Sequence, residues 1–83
     1  MASEVLPLVV MTGIGERIKE MRLKRGLSQG ELARRAGLTQ GFIWQVEAGR
    51  KEPGKRALVA LARALSVSLD ELLPVVNQEA PHA

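Results

Sequence analysis

The chain has 83 residues, a formal net charge of +3 and no cysteine, and its aromatic rings are limited to one phenylalanine and one tryptophan. This length accommodates one domain with one modest core, and the lack of cysteine excludes disulfides, cysteine-based zinc sites and thiol catalysis. Aliphatic and alanine residues must form the core, and because strand-like alternation is missing, the sequence predicts an all-α fold.

Positive charge is concentrated in the middle of the chain. Residues 1–12 carry −1, residues 13–56 carry eleven lysines and arginines against five glutamates, or +6, and residues 57–83 carry −2. A polyanion-binding surface requires such clustering. The alternative is an arginine-rich surface without a ligand, and charge alone does not decide between the two.

Residues 1–12 form an apolar N-terminal arm in which Pro7 disfavours a helix. We expect this arm to be extended, either as a frayed tail or as a strand that packs on the domain or pairs with a second chain. The apolar stretch is too short for a membrane helix and lacks the basic segment of a signal peptide, so no membrane contact is predicted.

The first predicted helix spans about residues 14–25 and ends at Gly26. Its apolar side chains recur at spacings of four and three: Ile14, Ile18 and Met21. Arg22 falls on the same face, where a charged group requires a partner.

Two short helices follow within residues 29–48. Ser28 and Glu31 have the spacing of a capping box, Gly37 suits a left-handed helix end, and Thr39 can cap the second helix. The inner faces consist of small or branched apolar residues: Leu32, Ala33, Ala36, Ile43 and Val46. This arrangement is typical of a helix-turn-helix unit.

A fourth helix is predicted at about residues 55–65, and a capping box at Ser68 and Glu71 begins a fifth helix of one or two turns. The apolar residues at this end either form a dimer surface or close the core of a monomer: Leu72, Leu73, Val75 and Val76. Residues 74–83 are predicted to be a C-terminal tail that is polar from Asn77 onward, and in which His82 has no second ligand for a metal.

These features together resemble the lambda-repressor-like helix-turn-helix domain of the Cro/C1-type, or xenobiotic-response-element, family. The matching residues are Leu27–Ala33, Gly37–Gln40, Ile43, Val46–Glu47, Gly49–Arg50, Pro53, Leu58, Leu61–Ala62, Leu65 and Val67–Leu73. The resemblance covers roughly residues 14–73. It implies a compact five-helix domain in which helix 3 lies in the DNA major groove and helix 2 crosses the backbone.

The resemblance further implies a set of DNA-binding residues: Gln29, Thr39, Gln40, Gly41, Trp44, Gln45, Arg50, Lys51 and Lys55. Gln29 and Thr39 are expected at phosphates, although Gln29 has the alternative role of a solvated first-turn residue. The amides of Gln40 and Gln45 are expected to face base edges. The three basic residues should neutralise phosphates.

Two residues depart from the family pattern. Gly41 removes a side chain from the face that would contact bases, and Trp44 occupies a position that the family often fills with a small polar residue. We expect the indole to face DNA as an apolar probe. The alternatives are packing over Phe42 or helix 2, and anchoring of a protein partner.

Arg22 and Glu47 are expected, from the resemblance, to form a structural ion pair between helix 1 and the end of helix 3. Removing one partner should then cost more than removing both.

The favoured function is a cytoplasmic transcriptional regulator, a repressor that binds a palindromic operator on double-stranded DNA as a homodimer. The chain offers no phosphate-cradling glycine loop and no pocket-forming pair of carboxylates, so we predict that it is not an enzyme and uses no cofactor or metal. The alternative is a protein-interaction module, such as an antitoxin or anti-regulator with secondary DNA binding, whose partner binds the N-terminal arm or Trp44.

Overall fold

A computed structural model describes residues 13–73, and every regular element in this part of the chain is an α-helix. We number the helices in chain order: α1 Ile14–Lys24, α2 Gln29–Ala36, α3 Gln40–Glu47, α4 Lys55–Leu65 and α5 Leu69–Leu72. The predicted all-α fold of five helices is therefore confirmed. The predictions for the N-terminal arm and for the tail from residue 74 lie outside the described residues.

Side-chain caps set the starts of three helices. The Ser28 hydroxyl accepts the Glu31 N–H at 3.0 Å and the Glu31 carboxylate accepts the Ser28 N–H at 2.8 Å, which completes the predicted capping box. The Thr39 hydroxyl likewise accepts a backbone N–H of the first turn of α3 at 3.1 Å. The second predicted box is only half formed, because the Ser68 hydroxyl accepts the Glu71 N–H at 3.3 Å but donates to the Glu71 carboxylate at 3.4 Å.

The core is built from aliphatic side chains and one methionine, and all five helices contribute to it. Its buried members are Ile18, Met21, Leu27, Leu32, Ala33, Ile43, Val46, Leu61, Ala62, Leu65 and Leu72. Helix α2 packs against α3 and α4, α1 packs against α3, and α5 contacts both α4 and α1. Burial of each large side chain contributes roughly 1.5–3 kcal/mol.

Helix α5 closes one end of this core. Leu72 is fully buried and Leu73 is half-buried, whereas Val75 and Val76 lie outside the described residues. Leu72 therefore closes the core of its own chain and is not free to form a dimer surface. The Arg17 Nε donates to the Glu71 carbonyl at 2.7 Å, which fixes α5 to α1.

Candidate nucleic-acid interface

A tight turn fixes α3 against α2. Gly37 has a φ of +73°, in the left-handed region that a β-carbon disfavours. The Leu38 N–H then donates to the Ala33 carbonyl at 2.8 Å, so the chain closes back on α2 before Thr39 caps α3. This geometry directs the two branched apolar residues of α3 into the core and leaves the opposite side of α3 at the surface.

The surface side of α3 carries four of the nine residues predicted to contact DNA. Gln40, Gly41 and Trp44 are exposed, and Gln45 is half-buried. The Gln40 Oε1 lies 3.7 Å from the position that a β-carbon on Gly30 would occupy, so this amide lies beside the first turn of α2. A β-carbon on Gly41 would meet no atom within 4 Å, so packing does not require a glycine there.

A bidentate ion pair joins α1 to the end of α3. The Arg22 Nε donates to Glu47 Oε2 at 2.7 Å, and the Arg22 Nη2 donates to Glu47 Oε1 at 2.9 Å. Only 9% and 4% of the two side chains are exposed. The third guanidinium nitrogen, Nη1, donates to the Leu27 carbonyl at 2.8 Å. The hydrogen bonds to Glu47 raise the pKa of Arg22 further above its ordinary value, so the guanidinium is charged.

Gln29 belongs to the same network. Its Nε2 donates to Glu47 Oε1 at 3.0 Å, so the Glu47 carboxylate accepts bonds from both α1 and α2. Gln29 is half-buried, which departs from the alternative of a merely solvated first-turn residue. One N–H of its amide is occupied in this way, and the second N–H remains for the phosphate contact, which stays a prediction.

The loop after α3 is held back against that helix. Gly49 has a φ of +78°, and the two residues that follow it donate their backbone N–H groups to a single acceptor. Arg50 and Lys51 bond the Gln45 carbonyl in this way, at 2.9 and 3.3 Å. Both basic side chains are therefore placed beside the surface side of α3.

Each of these two cations lies over an aromatic ring of α3. The Arg50 Cζ is 5.3 Å from the centroid of the Trp44 ring, and the Lys51 Nζ is 5.7 Å from the centroid of the Phe42 ring. Both distances fall within the range of cation–π attraction. Phe42 is also partly buried against the core.

Trp44 keeps 48% of its surface exposed. Its neighbours around a shallow surface depression include Lys19 of α1 and Gln29 of α2, besides the Arg22–Glu47 pair. The ring is therefore not a core residue, and it lies at the junction of α1, α2 and α3. Lys55, the last of the predicted basic contacts, is exposed at the first position of α4.

One contact that positions α3 was not predicted from the sequence. Gly15 is buried in the first turn of α1, and a β-carbon there would overlap the Val46 carbonyl oxygen. Its absence allows α1 to approach the backbone at the end of α3. The available signal was a glycine inside an amphipathic helix, where it costs about 1 kcal/mol relative to alanine and so requires a compensating reason.

Among residues 13–73 no group of three or more histidine, cysteine, aspartate or glutamate side chains is arranged to hold a metal ion. No helix in the same range is long and apolar enough to cross a bilayer. The side chains on and beside the surface side of α3 are amides, cations and two aromatic rings.

Comparison with known proteins agrees with this architecture. The family model described as "Helix-turn-helix" matches residues 18–72. An uncharacterised HTH-type transcriptional regulator, y4dL of Sinorhizobium fredii, is 39% identical over 68 residues, which are 77% of this chain and 35% of the relative. The immunity repressor protein of Bacillus phage phi105 is 33% identical over 72% of this chain and 42% of its own length. The chain thus spans less than half of these two relatives.

A solved structure shows the same fold. The P22 c2 repressor, determined in complex with a synthetic operator, superposes with a TM-score of 0.68 at 38% identity, covering 72% of this chain and 91% of that one. The family consists of DNA-binding regulators and not of enzymes. The chain is therefore a member of the lambda-repressor-like, Cro/C1-type helix-turn-helix family of DNA-binding transcriptional regulators.

Proposed function

We propose that this chain is a sequence-specific repressor that binds a palindromic operator as a homodimer, with α3 in the major groove. The observation that carries the proposal is the exposed side of α3, bordered by the cations of the following loop. An α-helix fits the major groove, where each base pair presents a distinct pattern of donors and acceptors. Cations at the rim of the groove neutralise phosphates and supply affinity that does not depend on sequence.

The residues divide into two roles in this proposal. Gln40 and Gln45 face base edges, since an amide can bond adenine bidentately. Phosphates are contacted by the polar and basic residues that surround these two amides: Gln29, Thr39, Arg50, Lys51 and Lys55. Gly41 contributes only backbone to the interface, so close approach and DNA shape carry more of the specificity at that position.

The homodimer follows from the small number of base contacts that one such domain offers. Two-fold binding doubles those contacts, and the half-sites should then lie about one DNA turn apart, ~34 Å. The named role of the phi105 relative and the operator complex of the P22 c2 repressor support repression by occupancy. We place the site of action in the cytoplasm, with the DNA.

Selection of bound duplexes from a random pool tests this function, because it yields the site and its symmetry together. We expect an enriched palindrome. The double variant Gln40→Ala, Gln45→Ala should lose the preference for that palindrome and keep its affinity for unrelated duplexes. The matched variant Lys51→Ala should weaken both and reduce the slope of log K against log salt by about one. Unchanged operator binding by the double variant at physiological salt would refute α3 as the helix that contacts bases.

A second candidate function rests on two exposed apolar side chains. Leu23 of α1 is 58% exposed and Trp44 is 48% exposed, and exposed tryptophans are typical anchors of protein interfaces. An antitoxin-like or anti-regulator module would use such a surface for a partner protein. Failure of the random pool to yield any enriched duplex would favour this candidate over the first.

A further inference from the structure

Two aromatic rings on the surface of α3 pair with two cations of the loop that follows it. Arg50 lies over Trp44 at 5.3 Å, and Lys51 lies over Phe42 at 5.7 Å. The backbone N–H groups of both cations bond the Gln45 carbonyl of α3. Backbone and side chains therefore constrain these two cations together, although both residues are exposed.

We infer that Trp44 is a positioning residue that holds Arg50 in place for a phosphate, with Phe42 doing the same for Lys51, and that neither ring identifies bases. The inference rests on the proposed DNA-binding function and assigns to Trp44 a role different from that of an apolar probe in the groove. A free arginine side chain samples many rotamers, and binding would otherwise have to offset the loss of that freedom. A guanidinium can stack on an aromatic face and still present N–H groups at its edge to an anion.

The exposure of the two rings supports this assignment. Trp44 is 48% exposed, so about half of its surface is already covered by its own chain. Phe42 is half-buried and packs on the core, so it can seat Lys51 but presents little surface to DNA. Both rings thus serve as fixed supports for the two exposed cations.

A double-mutant cycle on Trp44 and Arg50 tests the inference. The four proteins are the wild type, Trp44→Leu, Arg50→Ala and the double variant, and the probes are the selected duplex and a scrambled duplex of the same composition. Leucine keeps an apolar side chain but removes the ring. We expect Trp44→Leu to weaken binding to both duplexes equally, about two- to five-fold for each bound subunit, which is the fold-change of an exposed cation–π pair.

The decisive comparison is made in the Arg50→Ala background. If Trp44 acts through Arg50, replacing the ring there has no further effect, because the cation that it positions is already gone. Trp44→Phe should restore most of the affinity, since it restores an aromatic face. The salt dependence of Trp44→Leu should be shallower than that of the wild type and approach that of Arg50→Ala. Leu23→Ala, which removes an exposed apolar residue of α1, is the matched control and should bind as the wild type does.

Three results would overturn the inference. A loss confined to the selected duplex would make Trp44 a base-contacting residue, and a loss that persists in Arg50→Ala would make it a direct DNA contact. No loss at all would leave the ring without a role in DNA binding. All proteins are compared at a temperature where circular dichroism shows each to be folded. If the wild type itself selects no duplex, the proposed function fails; if it selects one and the cycle is additive, only this inference fails.

Discussion

Replacing Glu47 by alanine tests how α3 is fixed to the rest of the domain. The substitution removes the acceptor of two Arg22 hydrogen bonds and of the Gln29 amide. Arg22 is then left with the Leu27 carbonyl as its remaining partner, while only 7% of the residue is exposed. Breaking a buried pair in this way leaves an uncompensated charge and costs about 3–5 kcal/mol.

That loss is a large fraction of the free energy of unfolding of the whole domain. At 0.05–0.15 kcal/mol per residue, a chain of this length has a free energy of unfolding of about 4–12 kcal/mol. One kcal/mol shifts the melting temperature of a domain of this size by about 4–8 °C. We therefore expect Glu47→Ala to lower the melting temperature by more than about 10 °C. Urea unfolding followed by circular dichroism measures the free energy directly.

The control is an ion pair of the same chemistry at the surface. Arg17 and Glu20 are 3.4 Å apart with side chains 35% and 58% exposed, so Glu20→Ala should cost less than about 1 kcal/mol. The double variant Arg22→Met, Glu47→Leu removes both buried charges. It should be more stable than the single variant Arg22→Met and than the single variant Glu47→Leu. This role of the ion pair is refuted if the losses in Arg22→Met and Glu47→Leu simply add in the double variant, or if Glu47→Ala costs no more than Glu20→Ala.

Three further predictions concern the local structure. Gly15→Ala should destabilise the domain by about 1–3 kcal/mol in urea unfolding, because its methyl group would overlap the Val46 carbonyl oxygen. Gly41→Ala should stabilise the domain by roughly 0.4–1 kcal/mol in the same assay, because a methyl group there meets no atom and the unfolded chain loses freedom. A loss of stability in Gly15→Ala that is smaller than the gain in Gly41→Ala would contradict both predictions. The bonds from Ser28 lower the pKa of Glu31, so its contribution is complete above the unfolded value of 4.5 and is lost as the pH falls through the lower folded value. The difference in melting temperature between wild type and Glu31→Gln should therefore be constant from pH 6 to 8 and shrink below about pH 4.5, and a difference that grows with acid would contradict the assignment.

Much of the fold was predictable because its signals are local. A capping box such as Ser28–Glu31 involves residues three positions apart, and the left-handed Gly37 needs no knowledge of the remaining chain. The cap that Thr39 forms on α3 was predictable for the same reason. The spacing of apolar residues then placed the inner face of each helix toward a common core, as the buried set shows.

The interface was less predictable because it depends on contacts between distant parts of the chain. Gly15 matters only because α1 meets the backbone of α3, and no pattern within α1 identifies that neighbour. The bond from Gln29 to Glu47 joins two helices whose crossing had to be known first. The pairing of Arg50 with Trp44 depends on how the loop folds back at Gly49. Leu72 showed the same limit, since its hydrophobicity alone did not distinguish a core from a dimer surface.

The position of Glu47 explains why stability and DNA binding should change together at one site and separately at another. A carboxylate at the last position of α3 interacts unfavourably with the negative C-terminal end of the helix dipole. In the proposed complex it would also repel nearby phosphates. Arg22 from α1 offsets that charge, Gln29 from α2 donates a hydrogen bond to the same carboxylate, and together they set the orientation of α3. A folded Arg22→Met protein should therefore bind every duplex more weakly than its stability alone implies. At Trp44, substitution removes no hydrogen-bond partner of a buried charge, so DNA affinity should fall there with a smaller change in the free energy of unfolding than at Glu47.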